Sequence, residues 1–398
     1  MKWTNIAGNC PPSGYPSQEK APTSSLYCSQ TNEFKGIAHF AKLEYEESLL
    51  EDPTKYKLLQ RSKLSLGLPE IEGIRTVDVV ADYLRECIKI WKENILEFQA
   101  YKHLPIKYCL TIPANWKYNE RVIMREAARK AGMCEEDLKF VLEPEAGFYS
   151  FLEFAKGANI DLNNKVVLVL DAGGGTNDIT VHKIVSSNPF KVIEMCAGKG
   201  DRLGSDQINK AILDWFKSFL KNPSNPSFDE SKFCEEIEKA KCNSTTFKDK
   251  PIILQQYGLS KDDMSCPIPE KGGKSVFTIP KEKWSEHYMK SIDSIKCLIS
   301  GLKKSISEEI DYIWLVGGFS NSDILVSKIK EDFEKGNTRI FKPDVPESQI
   351  ARGALLYDEK TIQIRVSRST IGIGKNVKDW VSLVKVEQPI NKGLVVNH

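Results

Sequence analysis

The sequence contains no long apolar segment. Its longest uninterrupted aliphatic run extends only from Val166 to Leu170, whereas a helix that crosses a membrane needs about 20 apolar residues. The first residues, Met1 to Asn5, lead into no apolar stretch, so a secretory signal is not predicted either. These absences predict a soluble protein of the cytoplasm that has no membrane partner.

Cysteine and histidine are present, but without the spacing that a metal site needs. The ten cysteines form no C-x-x-C pair, and the five histidines are equally dispersed. Structural zinc sites typically use closely spaced pairs of these residues. We therefore interpret the cysteines as reduced, small core residues and predict neither a disulfide nor a zinc site.

The chain also lacks an excess of charge of one sign. It has 56 basic and 54 acidic residues, so its net charge is only +2. This balance argues against a nucleic-acid or membrane partner held by bulk electrostatics, although it leaves room for a local basic patch. The length of 398 residues predicts about two to three domains, and an apolar content of 41% is enough for sizeable cores.

Apolar periodicity predicts helices and strands that alternate irregularly along the chain. Residues 1–22 are typical of a loop, residues 41–75 are poorly periodic, and residues 250–280 suggest short strands and turns. The predicted helices lie at about 77–98, 120–131 with Asn119 as a possible N-cap, 144–157, 208–220, 229–242, 284–304 and from Gly317-Gly318 to Phe333. The predicted strands lie at about 106–112, 166–170, 178–184 and 312–316.

The most specific motif is Leu-Asp-Ala-Gly-Gly-Gly-Thr-Asn-Asp, from Leu170 to Asp178. Glycines allow a tight turn whose N–H groups approach an anion, and a nearby carboxylate and hydroxyl suit a phosphate-bound magnesium ion. A P-loop or dinucleotide motif would continue as a helix. Here the residues from Asp178 to Ile184 alternate as in a strand, so the motif predicts a phosphate-binding β-hairpin. A plain glycine-rich turn is the alternative.

Two further motifs are weaker when taken alone. Leu315 to Ser322 brings two glycines from a strand to a helix N-terminus, where free N–H groups favour a phosphate-bearing ligand. The alternative is a tight turn with Ser320 as the N-cap. Glu143-Pro144-Glu145-Ala146 by itself indicates only the start of a helix, since proline suits its first position.

In this order, the three motifs resemble the nucleotide-binding domain of the 70-kDa heat-shock proteins, within the actin-like ATPase superfamily. The resemblance is greatest to the divergent type-12 branch and covers roughly residues 20–390. Further segments that resemble this branch are Leu110 to Trp116, Arg125 to Gly132, Arg365-Val366 and Gly372 to Gly374. The resemblance implies an α/β protein with the actin-like ATPase fold, in which two lobes with mixed β-sheets, flanked by helices, surround a nucleotide cleft.

The resemblance also implies domain limits. The first lobe would span 1–160 with an outer subdomain at about 41–105, and the second 161–375 with an outer subdomain at about 205–310. Residues 376–398 would form a C-terminal extension. The protein would be a monomer that binds ATP or ADP with Mg2+, and its clients and exchange partners are not identified by the resemblance.

The resemblance assigns roles to individual residues. Asp171 would orient the magnesium-bound and attacking waters, Glu143 would lie near the water shell of the metal, and Thr176 would assist catalysis. The implied nucleotide contacts are Gly173, Gly174, Gly175 and Thr176 at the outer phosphates, Gly204, Ser205 and Asp206 beside the ribose and phosphates, Glu238 and Lys241 flanking adenosine, Gly317 and Gly318 under the purine, and Glu347 in the pocket. For Glu238 and Lys241 the alternative is an exposed i,i+3 ion pair.

The sequence departs from the family pattern at several places. The family begins with another phosphate hairpin, and nothing similar precedes Pro22 to Leu26, so we expect the chain to start one hairpin late. Cys242 and Asn321 occupy the positions of the arginines that sandwich adenine, and Lys63 is the candidate for the lysine near the γ-phosphate.

Three functions are compatible with these observations. The first is a chaperone-like ATPase in which slow hydrolysis drives lobe opening and closing. The second is a pseudo-ATPase scaffold, which the missing hairpin and the altered adenine positions would favour. The third is a sugar or acetate kinase of the same superfamily, which the segment from Glu143 to Ala146 argues against.

Overall fold

The computed structural model describes residues 22–94, 103–114, 116–187, 189–242, 246–357, 362–366, 371–373, 381–384 and 389–391. The chain divides into two compact units, Met1–Leu142 and Glu143–His398. The loop expected at 1–22 lies almost entirely outside the described residues. The lobe and subdomain limits given above stay predictions.

Among its described residues, the first unit combines small sheets with three helices. Its strands are β1 Ser24–Cys28, β2 Phe34–Ile37, β3 Tyr56–Gln60, β4 Glu70–Ile71, β5 Ile74–Arg75, β6 Tyr108–Ile112 and β7 Leu138–Leu142. Its helices are α1 Ala38–Glu51, α2 Thr76–Asn94 and α3 Tyr118–Lys130. The strands form an antiparallel sheet in the order β2-β1-β3, an antiparallel pair β4-β5 and a parallel pair β6-β7.

The core of the first unit forms because α2 and α3 each present an apolar face. Val80 and Ala81 of α2 pack with Met124 and Ala127 of α3, as the three-to-four spacing of apolar residues requires. The N-cap expected at Asn119 is wrong. The helix already begins at Tyr118, and Lys117 occupies the cap position without a side-chain hydrogen bond.

The second unit contains the remaining elements. Its strands are β8 Lys165–Ala172, β9 Asn177–Ser187, β10 Phe190–Glu194, β11 Lys199–Asp201, β12 Lys250–Ile253, β13 Glu270–Lys271, β14 Lys274–Ile279, β15 Tyr312–Val316, β16 Arg339–Phe341, β17 Ile362–Val366, β18 Ile371–Ile373, β19 Val381–Val384 and β20 Pro389–Asn391. Its helices are α4 Glu143–Gly157, α5 Asp206–Lys217, α6 Glu230–Cys242, α7 Lys281–Ser305, α8 Asp323–Phe333 and α9 Gln349–Leu356.

An eight-stranded mixed sheet forms the centre of this unit. Its strand order is β16-β15-β8-β9-β10-β17-β20, and β11 pairs with β9 outside this path. β8 is parallel to β15 and antiparallel to β9. The strand β8 is apolar over most of its length because both faces of the sheet are covered. One face packs with Phe148 and Phe151 of α4, and the other packs with residues of α5 and α7 such as Phe216 and Ile295. A mixed α/β architecture is thereby confirmed.

The connection after β15 differs from the expected helix start. Gly318–Asn321 forms a short 3-10 turn, and α8 begins only at Asp323. Ser322 is the N-cap of α8, since its hydroxyl accepts a hydrogen bond from the N–H of Leu325. The alternative in which Ser320 is the N-cap is wrong in that detail, because this hydroxyl donates instead to the carbonyl oxygen of Val316, at 2.7 Å.

Candidate functional site

The glycine-rich motif forms the turn of a β-hairpin, as its sequence predicts. Ala172, at the end of β8, pairs with Asn177 at the start of β9. The N–H of Gly173 donates to the carbonyl oxygen of Thr176 at 2.9 Å and closes the turn. The chain continues as a strand and not as a helix, which excludes a P-loop arrangement here.

A second loop packs directly against this turn. The N–H of Ser205 donates to the carbonyl oxygen of Gly173 at 3.1 Å, and the N–H of Asp206 donates to that of Gly174 at 2.8 Å. A Cβ atom on Gly204 would collide with the backbone of Gly174. Glycine is therefore required at position 204 for the two backbones to approach so closely.

Two buried carboxylates lie at the mouth of the hairpin. Asp171 and Asp178 are direct partners across the strands, and the two residues are only 9% and 1% exposed. Directly opposed residues of an antiparallel pair share one face of the sheet, with Cβ atoms about 4.5–5.5 Å apart. Two carboxylates on one face offer oxygen ligands of the kind that Mg2+ prefers.

No role was predicted for Asp178 from the sequence, although the motif itself contains a pattern that indicates one. The four residues from Gly173 to Thr176 form the turn. Counting outward from that turn, the second residue on each side is an aspartate. Once the turn is known to be a hairpin, this symmetry predicts that the two carboxylates oppose each other.

The residues proposed to flank adenosine also converge on the second loop. The Nζ of Lys241 forms an ion pair with Oε2 of Glu238 at 2.5 Å and donates to the carbonyl oxygen of Ser205 at 3.2 Å. The amide of Asn209 donates to the same Glu238 oxygen at 2.5 Å. The Lys241 side chain is only 3% exposed. The alternative of an exposed i,i+3 ion pair is therefore wrong for Lys241.

The two glycines after β15 have different environments. Gly317 has a positive φ of 84° and donates its N–H to the carbonyl oxygen of Pro346 at 3.0 Å. A Cβ atom on Gly317 would collide with the Asp171 carboxylate, so this residue must be glycine for two reasons. A Cβ atom on Gly318 would meet nothing within 4 Å. The space into which a Gly318 side chain would point is therefore open to a planar group.

The other predicted site residues lie on neighbouring elements of the second unit, with one exception. Glu347, in the 3-10 turn Pro346–Ser348, accepts a hydrogen bond at 2.7 Å from Asn321, a residue that stands where an arginine was expected. Glu143 is buried at the first residue of α4. Lys63 belongs to the first unit, where its Nζ lies 5.7 Å from the ring centroid of Trp116. The side chain of Cys242 lies outside the described residues.

The acidic groups fit a magnesium ion that keeps most of its water ligands. Across the described ranges no group of three or more His, Cys, Asp or Glu side chains has the geometry of a metal site. Mg2+ typically retains several waters and is bound by one or two carboxylates together with substrate phosphates. The pair of Asp171 and Asp178 suits this kind of binding. In the described part of the chain no helix is long and apolar enough to cross a bilayer.

Comparison with known proteins identifies the family. The family model described as Hsp70 protein matches residues 93–359, which is more than half of the chain. The chain therefore belongs to the Hsp70 family and, with it, to the actin-like ATPase superfamily. Assignment to the type-12 branch stays a prediction.

The similar curated proteins are chaperones and heat-shock-related proteins at low identity. The chain is 27% identical over 249 residues to the stromal 70 kDa heat shock-related protein of the spinach chloroplast, covering 60% of this chain and 38% of that protein. It is 24% identical over 343 residues to the chaperone protein DnaK of Mycoplasma mycoides, covering 84% and 55%. A third relative is the dnaK chaperone of Cyanidium caldarium, at 26% over 264 residues, covering 64% and 40%. The chain spans about half or less of their lengths.

Proposed function

We propose that the second unit binds ATP as its magnesium complex. The observation that carries this proposal is the hydrogen-bonded contact between the turn Gly173–Thr176 and the loop Gly204–Asp206. The glycines of the turn and the glycine required at the contact leave little side-chain bulk around the backbone, so a phosphate can approach it closely. Membership of the Hsp70 family supports the same ligand.

In this proposal the phosphates contact the turn and the adenosine contacts the elements beside it. Glu238 and Lys241 would bind the ribose and base from one side, and the open side of Gly318 would lie under the purine. Gly317 and Glu347 would complete this part of the pocket. The burial of Lys241 supports the assignment, because its charged end lies against the carbonyl oxygen of Ser205 in the loop Gly204–Asp206.

A more specific proposal concerns the hydrolysis of the bound ATP. Asp171 would orient the attacking and magnesium-bound waters, with Thr176 and Glu143 assisting, and Mg2+ would neutralise charge on the phosphates. In phosphoryl transfer the protein contributes mainly positioning and electrostatic stabilisation. We infer a slow ATPase whose nucleotide state controls lobe opening and closing, in a chaperone-like protein of the cytoplasm.

Titration calorimetry with Mg-ATP tests the binding proposal. We expect the wild-type protein to bind and the variant Gly204→Ala to bind at least about tenfold more weakly, because the added Cβ separates the two loops. Gly301→Ala, in α7, is the matched control, since a Cβ there meets nothing within 4 Å. An absence of Mg-ATP binding by the wild-type protein would overturn the proposal.

A further inference from the structure

Asp201, at the end of β11, is a hydrogen-bonding centre just outside the proposed nucleotide contacts. Its Oδ1 accepts from the side-chain amide of Asn177 and from the backbone N–H of Leu203, both at 2.9 Å. Its Oδ2 accepts from the hydroxyl of Ser294 at 2.5 Å. One carboxylate therefore joins β9, the loop after β11 and α7. Hydrogen bonds to an ionised acceptor are roughly twice as strong as neutral ones.

These bonds hold the residue that follows the glycine turn and the residue that precedes the loop Gly204–Asp206, the two segments of the proposed phosphate site. Asn177 is fully buried and follows the glycine turn directly. Its amide also donates to the carbonyl oxygen of Leu203 at 3.1 Å, so both backbone polar groups of Leu203 are held. The next residue, Gly204, begins the loop that packs on the turn. The position of that loop is thus fixed by Asn177 and Asp201 before any ligand binds.

The helix α7 is bonded to both sides of the proposed site. Ser294 contacts Asp201 on the phosphate side, and the hydroxyl of Tyr288 donates to the carbonyl oxygen of Lys241 on the adenosine side, at 2.9 Å. The two α7 residues are six positions apart, or about 9 Å along a helix. One helix is therefore hydrogen-bonded to residues on both the phosphate side and the adenosine side of the proposed site.

We propose that Asp201 is a positioning residue, which fixes the Gly204–Asp206 loop for phosphate binding and is itself held by Ser294 of α7. This inference rests on the proposed nucleotide binding. We expect no contact of Asp201 with the phosphates, because a carboxylate and a phosphate are both negatively charged hydrogen-bond acceptors and repel each other. Its effect on the ligand is exerted through Leu203 and the loop that follows.

The test compares ATP with adenosine in the full chain. We expect Asp201→Ala to weaken Mg-ATP binding at least tenfold and adenosine binding less than twofold, as measured by calorimetry and by thermal shift. Asp201→Asn should remain within about threefold of the wild type, since an amide oxygen can accept from Asn177 and Leu203 while its NH2 group donates to Ser294. An equal loss for both ligands would indicate general damage and would overturn the proposal, as would unchanged ATP affinity in Asp201→Ala.

Ser294→Ala tests the link to α7. It should weaken Mg-ATP binding about threefold in the wild-type background and cause no further loss in Asp201→Ala. Ser305→Ala is the matched control, because Ser305 is an exposed serine on the same helix that bonds only within it. Additive losses in the double variant would show that Ser294 acts independently of Asp201 and would overturn the link.

Hydrogen exchange separates this inference from the proposed function. In the ligand-free protein the amides of Ser205 and Asp206 donate to the glycine turn, and we expect them to exchange at least tenfold faster in Asp201→Ala. If wild-type protein binds no ATP, the proposed function fails, and this measurement alone decides the positioning role. Faster exchange then supports it, and unchanged exchange overturns it.

Discussion

Asp171 has close neighbours on both adjacent strands. It lies in a central strand, with Asp178 opposite on β9 and Val316 adjacent on β15. Gly317 approaches its carboxylate so closely that no side chain would fit between them. A carboxylate held in this way has few accessible orientations, which suits a group that must position a water molecule.

The variant Asp171→Asn tests the catalytic role. Because asparagine has nearly the same shape, we expect an unchanged fold but ATP hydrolysis at least about tenfold slower, a barrier increase of roughly 1.4 kcal/mol. Phosphate release at saturating Mg-ATP is the measurement, and a circular dichroism spectrum checks the fold. Asp161→Asn, at an exposed turn before β8, is the control. Equal rates for wild type and Asp171→Asn would remove Asp171 from catalysis.

Sequence patterns predicted single residues only where a local rule applies. The glycines at 173–175 were recognised because a tight turn requires them, and Asp171 because it ends an apolar run. Burial of Lys241 could not be predicted, since it depends on Ser205, Asn209 and Tyr288, which are distant in sequence. The assigned site roles themselves stay predictions.

For helices and strands, the agreement between the predicted and observed elements depends on how strong the local sequence pattern is. The strand Tyr312–Val316 has the predicted limits, and the hairpin of β8 and β9 is confirmed, because both are long apolar or alternating runs. The helix α1 was not predicted, since Ala38–Glu51 has no clear apolar stripe. The contact of the turn with the loop at 204–206 could not be predicted from local patterns, because it is made in the tertiary structure.

The hydrogen bonds of Asp263, at the end of the 3-10 turn Lys261–Asp263, predict that the stability of the protein depends on pH. Asp263 accepts from the N–H and the hydroxyl of Ser260, both at 2.8 Å, and from the amide of Asn225 at 2.9 Å. These hydrogen bonds, first the one from the Ser260 backbone, lower the pKa of Asp263 below its usual 3.8. A carboxylate whose pKa is lowered by folding stabilises the protein above its unfolded pKa, and the stabilisation is lost as the pH falls through the folded pKa.

The variant Asp263→Asn should therefore have a lower melting temperature than the wild type at pH 7. The difference should begin to narrow as the pH falls below about 4, where the carboxylate of the unfolded chain becomes protonated, and it should be lost as the pH falls through the lower pKa of the folded protein. Melting curves at several pH values provide the measurement, with Asp262→Asn at the neighbouring exposed position as the control. A difference that does not vary with pH would contradict the role of the ionised form.

At the scale of the whole molecule, binding and stability are linked. A ligand that binds only the folded state stabilises it by about 2.7 kcal/mol at a concentration 100 times its Kd. We expect Mg-ATP to raise the melting temperature of the wild-type protein. Removal of Mg2+ with a chelator should reduce that shift, because Asp171 and Asp178 would then face the phosphates without a cation. An equal shift with and without Mg2+ would argue against a metal at these carboxylates.

The mixed sheet also has a consequence for the order of folding. β8 is joined to its antiparallel partner β9 by four residues, whereas its parallel partner β15 lies beyond α5, α6 and α7 in the chain. Closing a short loop loses less entropy than closing a long one, and contacts distant in sequence form slowly. The glycine turn is therefore expected to form early, while Gly317 reaches Asp171 only after β15 has joined the sheet. During synthesis, the proposed phosphate turn would exist before the residues that confine its carboxylate.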